Sequence, residues 1–319
     1  MKASSKLEAF CFIVSQHNDN FTEKTRMNLR EQLKGTGVAI VTPFKEDASI
    51  DFAALEKLLD FTIGNGVEYI VSLGTTGETP TLSKQEKLDI FNFTFDKING
   101  RVPVVVGIGG NDTKEVIEAV QSYPLEKAVA ILSACPYYSK PSQEGIFQHY
   151  KAVAEASPKP IILYNVPGRT GRNMEAATTL RLANDIANIA GIKEAGNSIS
   201  QCIQILKDRP EDFLVVSGDD DLVLPELACG IDGVISVAAN CFPKEFSNMV
   251  RAGLAQDFRL AKSLNDTLLE VYNLLFTENN PAGVKGFLSE LGFIQNVLRL
   301  PVTPLSAPVQ QRVKEYLQK

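Results

Sequence analysis

Tryptophan is absent from the 319 residues, histidine occurs only twice, and neither sign of charge is in large surplus. Lys and Arg total 32 against 38 Asp and Glu, a formal net charge of −6. Mild acidity excludes a general phosphate-backbone partner, because nucleic-acid binding rests on a basic surplus. No apolar run approaches the roughly 20 residues that cross a bilayer, so no membrane partner is expected. The five cysteines (Cys11, Cys135, Cys202, Cys229, Cys241) are odd in number and lack CxxC spacing. Neither a disulfide framework nor a zinc site is indicated, and a reducing, cytoplasmic compartment fits best. With only His17 and His149 available, proton transfers in an enzyme of this composition would run through Tyr, Lys, Asp or Glu. No GxGxxG follows the first strand pattern. Gly107-Ile108-Gly109-Gly110 lacks the third glycine of a dinucleotide loop.

What remains is ordinary globular composition, 44% hydrophobic and 22% charged. The apolar patch at 9–14 is too short for a signal-peptide core. Ordered-looking sequence begins after Met27, so residues 1–26 read as a disordered extension, with Met27 as the biological start and 293 residues following from there. From Gly35 onward, β-branched apolar runs alternate with amphipathic stretches of ten to sixteen residues. Eight strands are predicted, at 38–42, 69–73, 102–107, 128–132, 161–165, 189–193, 214–217 and 234–237, with helices between them. Ser83 before Glu86 and Asp112 before Glu115 have capping-box spacing and mark helix starts. The pattern predicts an α/β fold, a (β/α)₈ TIM barrel over 27–255, followed by a C-terminal helical subdomain over 256–319; after the eighth strand, helices are expected at 246–254, 257–278, 284–290 and 310–317.

In such a barrel, function is built where the strands end. Those ends carry Gly74-Thr75-Thr76-Gly77-Glu78, Pro136-Tyr137-Tyr138, Tyr164-Asn165-Val166-Pro167-Gly168-Arg169-Thr170, Gly191-Ile192-Lys193-Glu194-Ala195 and Ser217-Gly218-Asp219-Asp220. A lysine inside a strand must offset its desolvation. If Lys193 points inward, Gly191 and Ala195 share its face and leave room for a ligand. Burial disfavours the charged amine, and a neutral amine attacks a ketone to form a Schiff base. The competing reading is an ion-paired structural lysine. Tyr164, on the adjacent strand, could move protons or simply fill the core. The Thr75-Thr76 turn could cradle a carboxylate or be a plain connection. Arg169 could clamp a second carboxylate or form a surface ion pair. The run Asp219-Asp220-Asp221 reads as turn or helix-capping residues, because three consecutive acids cannot converge on one metal ion.

In combination and in this order, Gly-Thr-Thr-Gly-Glu at 74–78, Tyr-Asn-Val-Pro-x-Arg-Thr at 164–170 and Gly-Ile-Lys-Glu-Ala at 191–195 resemble the pyruvate-dependent class I aldolases of the dihydrodipicolinate synthase and N-acetylneuraminate lyase superfamily, from about Gly35 to Pro304. The resemblance implies that Lys193 forms the Schiff base with pyruvate and that Thr75 and Thr76 hold its carboxylate. Thr75 and Tyr164 relay protons, with Tyr138 completing the relay across a subunit interface of a homotetramer built as a dimer of dimers. Gly218 and Ile235 contribute backbone near the substrate. It implies condensation with aspartate 4-semialdehyde on the diaminopimelate route to lysine, without a metal or other cofactor. Arg169 favours that branch, since its role there is to receive the semialdehyde carboxylate and the sialic-acid lyases lack it. Aldolases for sugar acids or hydroxy-oxoglutarate, and an idle pyruvate-binding sensor, are the alternatives. Asn111, Glu115 and Tyr137 match a regulatory lysine site. Lys84 and Lys87 add like charge there, so weak or absent inhibition by lysine is expected.

Overall fold

The computed structural model describes residues 23–319. The chain alternates strand and helix in the order α1 (Glu23–Gln32), β1 (Gly35–Ala39), α2 (Phe52–Gly64), β2 (Tyr69–Ser72), α3 (Lys84–Ile98), β3 (Val104–Gly107), α4 (Thr113–Ser122), β4 (Ala130–Ala134), α5 (Gln143–Ala156), β5 (Ile161–Asn165), a single turn α6 (Pro167–Thr170), α7 (Ala176–Asp185), β6 (Ile189–Glu194), α8 (Ile199–Asp208), β7 (Leu214–Ser217), α9 (Val223–Cys229) and β8 (Gly233–Ser236). The eight strands are all parallel and close as β1 through β8 in sequence order, β8 pairing with β1. The TIM barrel read from the sequence is the fold.

Two packed layers follow from the alternation of side chains along each strand. Tyr69, Val71, Val105, Leu132, Ile162, Leu214, Val216 and Ile235 fill the barrel interior. Ile70, Val106, Ile131, Leu163, Ile192 and Val215 face outward and pack with Leu58, Phe91, Tyr150 and Phe246 of the helices. Ser83 and Glu86 form the expected capping box at the start of α3. At α4 the cap is simpler, Asp112 accepting from the amide of Lys114. β1 starts three residues before the expected position. Its glycines conceal it: a Cβ on Gly37 would lie 2.1 Å from the Tyr69 ring, so only a bare backbone passes there.

The expected break at Met27 falls inside α1, which corrects the reading of residues 23–26 as extension. Leu29 and Leu33, one turn apart, belong to the same buried cluster as the barrel interior. Arg26 is buried, ion-paired with Asp212 at 3.1 Å and bonded to the carbonyl of Ala183, while Arg30 and Arg209 both hold Asp232. The apolar pair draws the helix against the barrel, and the arginines fix it. The extension expected over residues 1–22 lies outside the described residues.

After β8 come α10 (Pro243–Leu254), α11 (Phe258–Asp266), α12 (Leu269–Phe276), α13 (Ala282–Glu290) and α14 (Ala307–Leu317). The long helix expected over 257–278 is two, broken where the Thr267 hydroxyl bonds the carbonyl of Leu264 and the amide of Leu268 bonds that of Asn265. This break and the turn after α12 bring Asn279 and Asn280 back to the barrel, where their contacts with the strand-end residues help build the site.

Candidate active site

Lys193 sits near the end of β6, directly paired with Tyr164 of β5 on one side and Val216 of β7 on the other. Its side chain is buried inside the barrel, with Nζ 4.6 Å from the centroid of the Tyr164 ring. Room for this side chain comes from small neighbours. A Cβ on Gly218 would lie 2.7 Å from Lys193 Cε and 2.6 Å from Ala195 Cβ, and one on Gly191 would lie 2.7 Å from Leu214 Cβ. Of the two small residues anticipated on the lysine's face, Ala195 lines the cavity beside it, whereas Gly191 makes room for Leu214 of β7.

A narrow cavity of about 60 Å³ reaches Lys193 between Thr75, Thr76, Tyr164, Arg169, Gly218 and Asp219. It shares Thr75, Tyr164 and Arg169 with a wider cavity of about 330 Å³ that runs outward past Gly109 to Tyr137 and Lys87. The geometry suits a small planar acid at the lysine and a longer molecule approaching from the wider side.

The turn Thr75–Gly77 is held from three directions. Leu73 adopts a left-handed φ of 57° and its carbonyl accepts from the Thr79 hydroxyl at 2.7 Å. Strain of this kind in a non-glycine residue persists only where neighbours enforce it. The Thr76 hydroxyl accepts from Asn280 Nδ2 at 3.0 Å. Glu78, also left-handed and buried, is ion-paired with Lys285 of α13 and accepts from the amide of Arg299 at 3.0 Å. Burial holds Lys285 down to about 8 against the pull of that carboxylate. Arg169 Nη2 donates to Asn279 Oδ1 at 3.1 Å and to the carbonyl of Asn280 at 3.2 Å, which sets its guanidinium at the mouth.

The acidic run resolves into separate tasks. Asp219 faces the narrow cavity, and burial raises its carboxyl although Lys193 opposes the shift. Asp220 accepts from the amides of Val237 and Ala238 at 3.0 and 2.7 Å, a capping role for the short helix Ala238–Asn240; burial nonetheless pushes it up to about 6.

Lys193, Tyr164, Thr75, Thr76, Arg169 and Gly218 thus come together around the narrow cavity. Ile235 does not join them: it is wholly buried within the barrel, and Val237 lines the cavity instead. Tyr138 lines neither cavity and is 88% exposed on a left-handed backbone, φ 71°. Of the four residues with a candidate regulatory role, Tyr137 lines the wider cavity, while Lys84, Asn111 and Glu115 are exposed and line neither. Sequence reasoning misses Asn280 and Phe276, which lie more than 80 residues beyond the strand-end Lys193 and carry no motif. The Asn-Asn-Pro turn at 279–281 is their only signal.

The dihydrodipicolinate synthetase family model matches residues 32–319. The chain belongs to the dihydrodipicolinate synthetase family. A 4-hydroxy-tetrahydrodipicolinate synthase of Parabacteroides distasonis is 50% identical over 285 residues, 89% of this chain and 96% of that protein. The crystal structure of the chloride-inhibited dihydrodipicolinate synthase of Acinetobacter baumannii complexed with pyruvate is 41% identical with a TM-score of 0.87, covering 90% of this chain and 98% of that one. The same family's enzyme from Cyanidioschyzon merolae, with lysine bound, is 34% identical at a TM-score of 0.87, again over 90% and 98%. Membership agrees with the resemblance that the strand-end motifs carry. The contacts described above remain this chain's own.

Proposed function

We propose that this chain is a class I, Schiff-base lyase, a 4-hydroxy-tetrahydrodipicolinate synthase that condenses pyruvate with aspartate 4-semialdehyde in the diaminopimelate route to lysine. One observation carries the reading: a buried lysine amine lies over a tyrosine ring at the inner end of a cavity whose other walls present two threonine hydroxyls and, at the mouth, an arginine. The amine of Lys193 adds to the pyruvate ketone, and loss of water gives an iminium. Removal of a methyl proton leaves an enamine, the iminium nitrogen having taken up the electron pair. Enamine carbon attacks the aldehyde of the second substrate, whose oxygen takes up a proton. The substrate amine then displaces Lys193 from the iminium carbon, closing the ring and freeing the enzyme.

Thr75 and Thr76 hold the pyruvate carboxylate, Thr75 and Tyr164 pass protons, Gly218 leaves the space for the adduct, and Arg169 receives the semialdehyde carboxylate. None of these steps uses a metal or redox cofactor. Tyr138, too exposed to serve its own cavity, supplies its hydroxyl to a second copy in a cytoplasmic homotetramer. Arg169 at the mouth favours this reading over an N-acetylneuraminate lyase. Borohydride reduction in the presence of pyruvate, followed by peptide mapping, tests it. Label on Lys193 is expected, and label elsewhere or nowhere overturns the mechanism. A coupled assay with aspartate 4-semialdehyde against N-acetylneuraminate then separates the branches, and turnover of neither would leave an aldolase for sugar acids or hydroxy-oxoglutarate, or a pyruvate sensor.

A further inference from the structure

The pairing of β5 with β6 is irregular where it begins. Ile161 pairs with Ile189, yet Ile162 pairs with Gly191, so Ala190 is an extra residue in the ladder. A one-residue change of register reverses the direction of every later side chain. Beyond the bulge, Tyr164 faces Lys193, and the next pair is Asn165 with Glu194. Because side chains alternate, the first pair points into the barrel and the second points out of it.

The outward pair is bonded side chain to side chain. Asn165 Nδ2 donates to Glu194 Oε1 at 2.8 Å and Oε2 at 3.1 Å, and both residues are buried. Around them the network closes. Asn165 Oδ1 accepts from the amide of Met174 at 2.9 Å, and its Nδ2 also donates to Asn173 Oδ1 at 2.8 Å. Gln201 Nε2 of α8 donates to Glu194 Oε2 at 3.0 Å, while Gln201 Oε1 accepts from Asn173 Nδ2 at 2.8 Å. A Cβ on Gly196 would lie 2.5 Å from Glu194 Oε1, so that glycine leaves the carboxylate its place.

We propose that the Asn165–Glu194 bond, braced by Asn173 and Gln201, is a positioning device that holds the register of β5 and β6 on the site side of the bulge and so keeps Lys193 over Tyr164. Neither residue touches the cavity; both act through the neighbouring residue in the strand. Burial raises the Glu194 carboxyl to about 7 although the amide donors oppose it. Its place in the barrel wall therefore depends on those donors and not on an ion pair.

The inference rests on Lys193 being the Schiff-base residue, and the experiment separates the two ideas. The parent chain, Asn165→Asp, Glu194→Gln and the double exchange Asn165→Asp/Glu194→Gln are compared by initial rate of borohydride trapping of pyruvate per folded subunit, and by melting temperature. Asn165→Asp removes the amide donor to Glu194 and to Asn173 Oδ1 and, at pH 9, above the raised Glu194 carboxyl, sets carboxylate against carboxylate; there it should slow trapping at least tenfold. In the double exchange the introduced amide donates to the introduced carboxylate, and the rate should return to within threefold of the parent. Where Asn165→Asp does not fold, Glu194→Gln, which turns an amide toward the donors, stands in for it under the same criteria. A single variant within threefold of the parent, a double variant that regains its melting temperature without its trapping rate, or a double variant that does not fold overturns the positioning role. A parent that takes no label overturns the Schiff-base reading and this inference with it.

Discussion

A Cβ on Gly218 would stand 2.7 Å from Cε of Lys193. The lysine end could move, but the same Cβ would also stand 2.6 Å from Ala195 Cβ, which is fixed to the backbone. Gly218→Ala must therefore displace the lysine, the strand or both. We expect a loss of stability of about 1–3 kcal/mol, the usual cost of overpacking, and a fall in pyruvate trapping at Lys193 of tenfold or more at temperatures where the variant is fully folded. A variant that traps pyruvate at the parent rate would show that the glycine is only a backbone preference.

Asn280 orients Thr76. Because the Thr76 hydroxyl oxygen accepts from Asn280 Nδ2, its own hydrogen is free to donate to a carboxylate in the cavity. Asn280→Ala removes that constraint at a buried position. A net hydrogen bond of about 0.5–1.5 kcal/mol corresponds to a rise in the KM for pyruvate of roughly threefold to tenfold. Steady-state kinetics with pyruvate as the varied substrate check this, and a fall in kcat with KM unchanged would contradict it.

The barrel is legible in the sequence because its signals are local: β-branched runs at regular spacing, capping residues, and strand ends crowded with Gly, Thr, Tyr, Lys and Arg. On those grounds Lys193, Tyr164, Thr75 and Arg169 stand out as candidates, each with a structural alternative, and folding is what brings them around one cavity. Asn280, Lys285 and Arg299 cannot, since their partners Thr76, Glu78 and Glu86 lie over 200 residues away and only folding brings them together. The start of α1 is hidden because the largely polar stretch at 23–28 includes an arginine whose partners, Asp212 and Ala183, are also far away in sequence. Glu78 closes a turn that reads as a carboxylate cradle, but its side chain turns away to bind the C-terminal helices.

Lys285 and Glu78 form an ion pair with side chains 0% and 2% exposed. Removing one member strands the other without solvent, at a cost of about 3–5 kcal/mol, whereas replacing both avoids the uncompensated charge. Lys285→Met should lower the urea midpoint sharply, and Lys285→Met/Glu78→Gln should recover most of the loss. Equal destabilisation by the single and double variants would mean that packing around the lysine stem, not the charge, is what matters.

Buried carboxyls give the stability a definite pH dependence. Burial raises Glu226 to about 7, and the nearby charges of Asp219 and Glu194 push in the same direction. Between its unfolded value near 4.5 and about 7, the folded chain binds more protons at this site than the unfolded chain does. Stability therefore falls as pH rises through that window, and the loss is complete above it. Glu226→Gln removes the site's titration. It should raise stability at pH 8 by about 1–3 kcal/mol, because each tenfold change in proton affinity is worth about 1.36 kcal/mol and relaxation around the carboxylate absorbs part of the total. The same exchange should make the Tm profile less steep between about pH 5 and 7, where Glu194 and Asp220 still titrate. A gain that is the same at pH 4.5 and pH 8 would locate the effect in packing.

Lys87 lines the wider cavity beside Tyr137, and burial pulls its amine below the usual lysine range. Free lysine entering there would bring a net positive charge toward Lys87, with the exposed Lys84 one turn away on the same helix. Like charges at such distances disfavour binding, and the effect weakens with added salt. We expect lysine to inhibit weakly or not at all below millimolar concentration, and Lys87→Gln to make the chain measurably more sensitive, with the change greatest at low ionic strength. Submillimolar inhibition of the unaltered chain in a steady-state assay would show that the cavity overcomes this repulsion, and would place the lysine side chain away from Lys87.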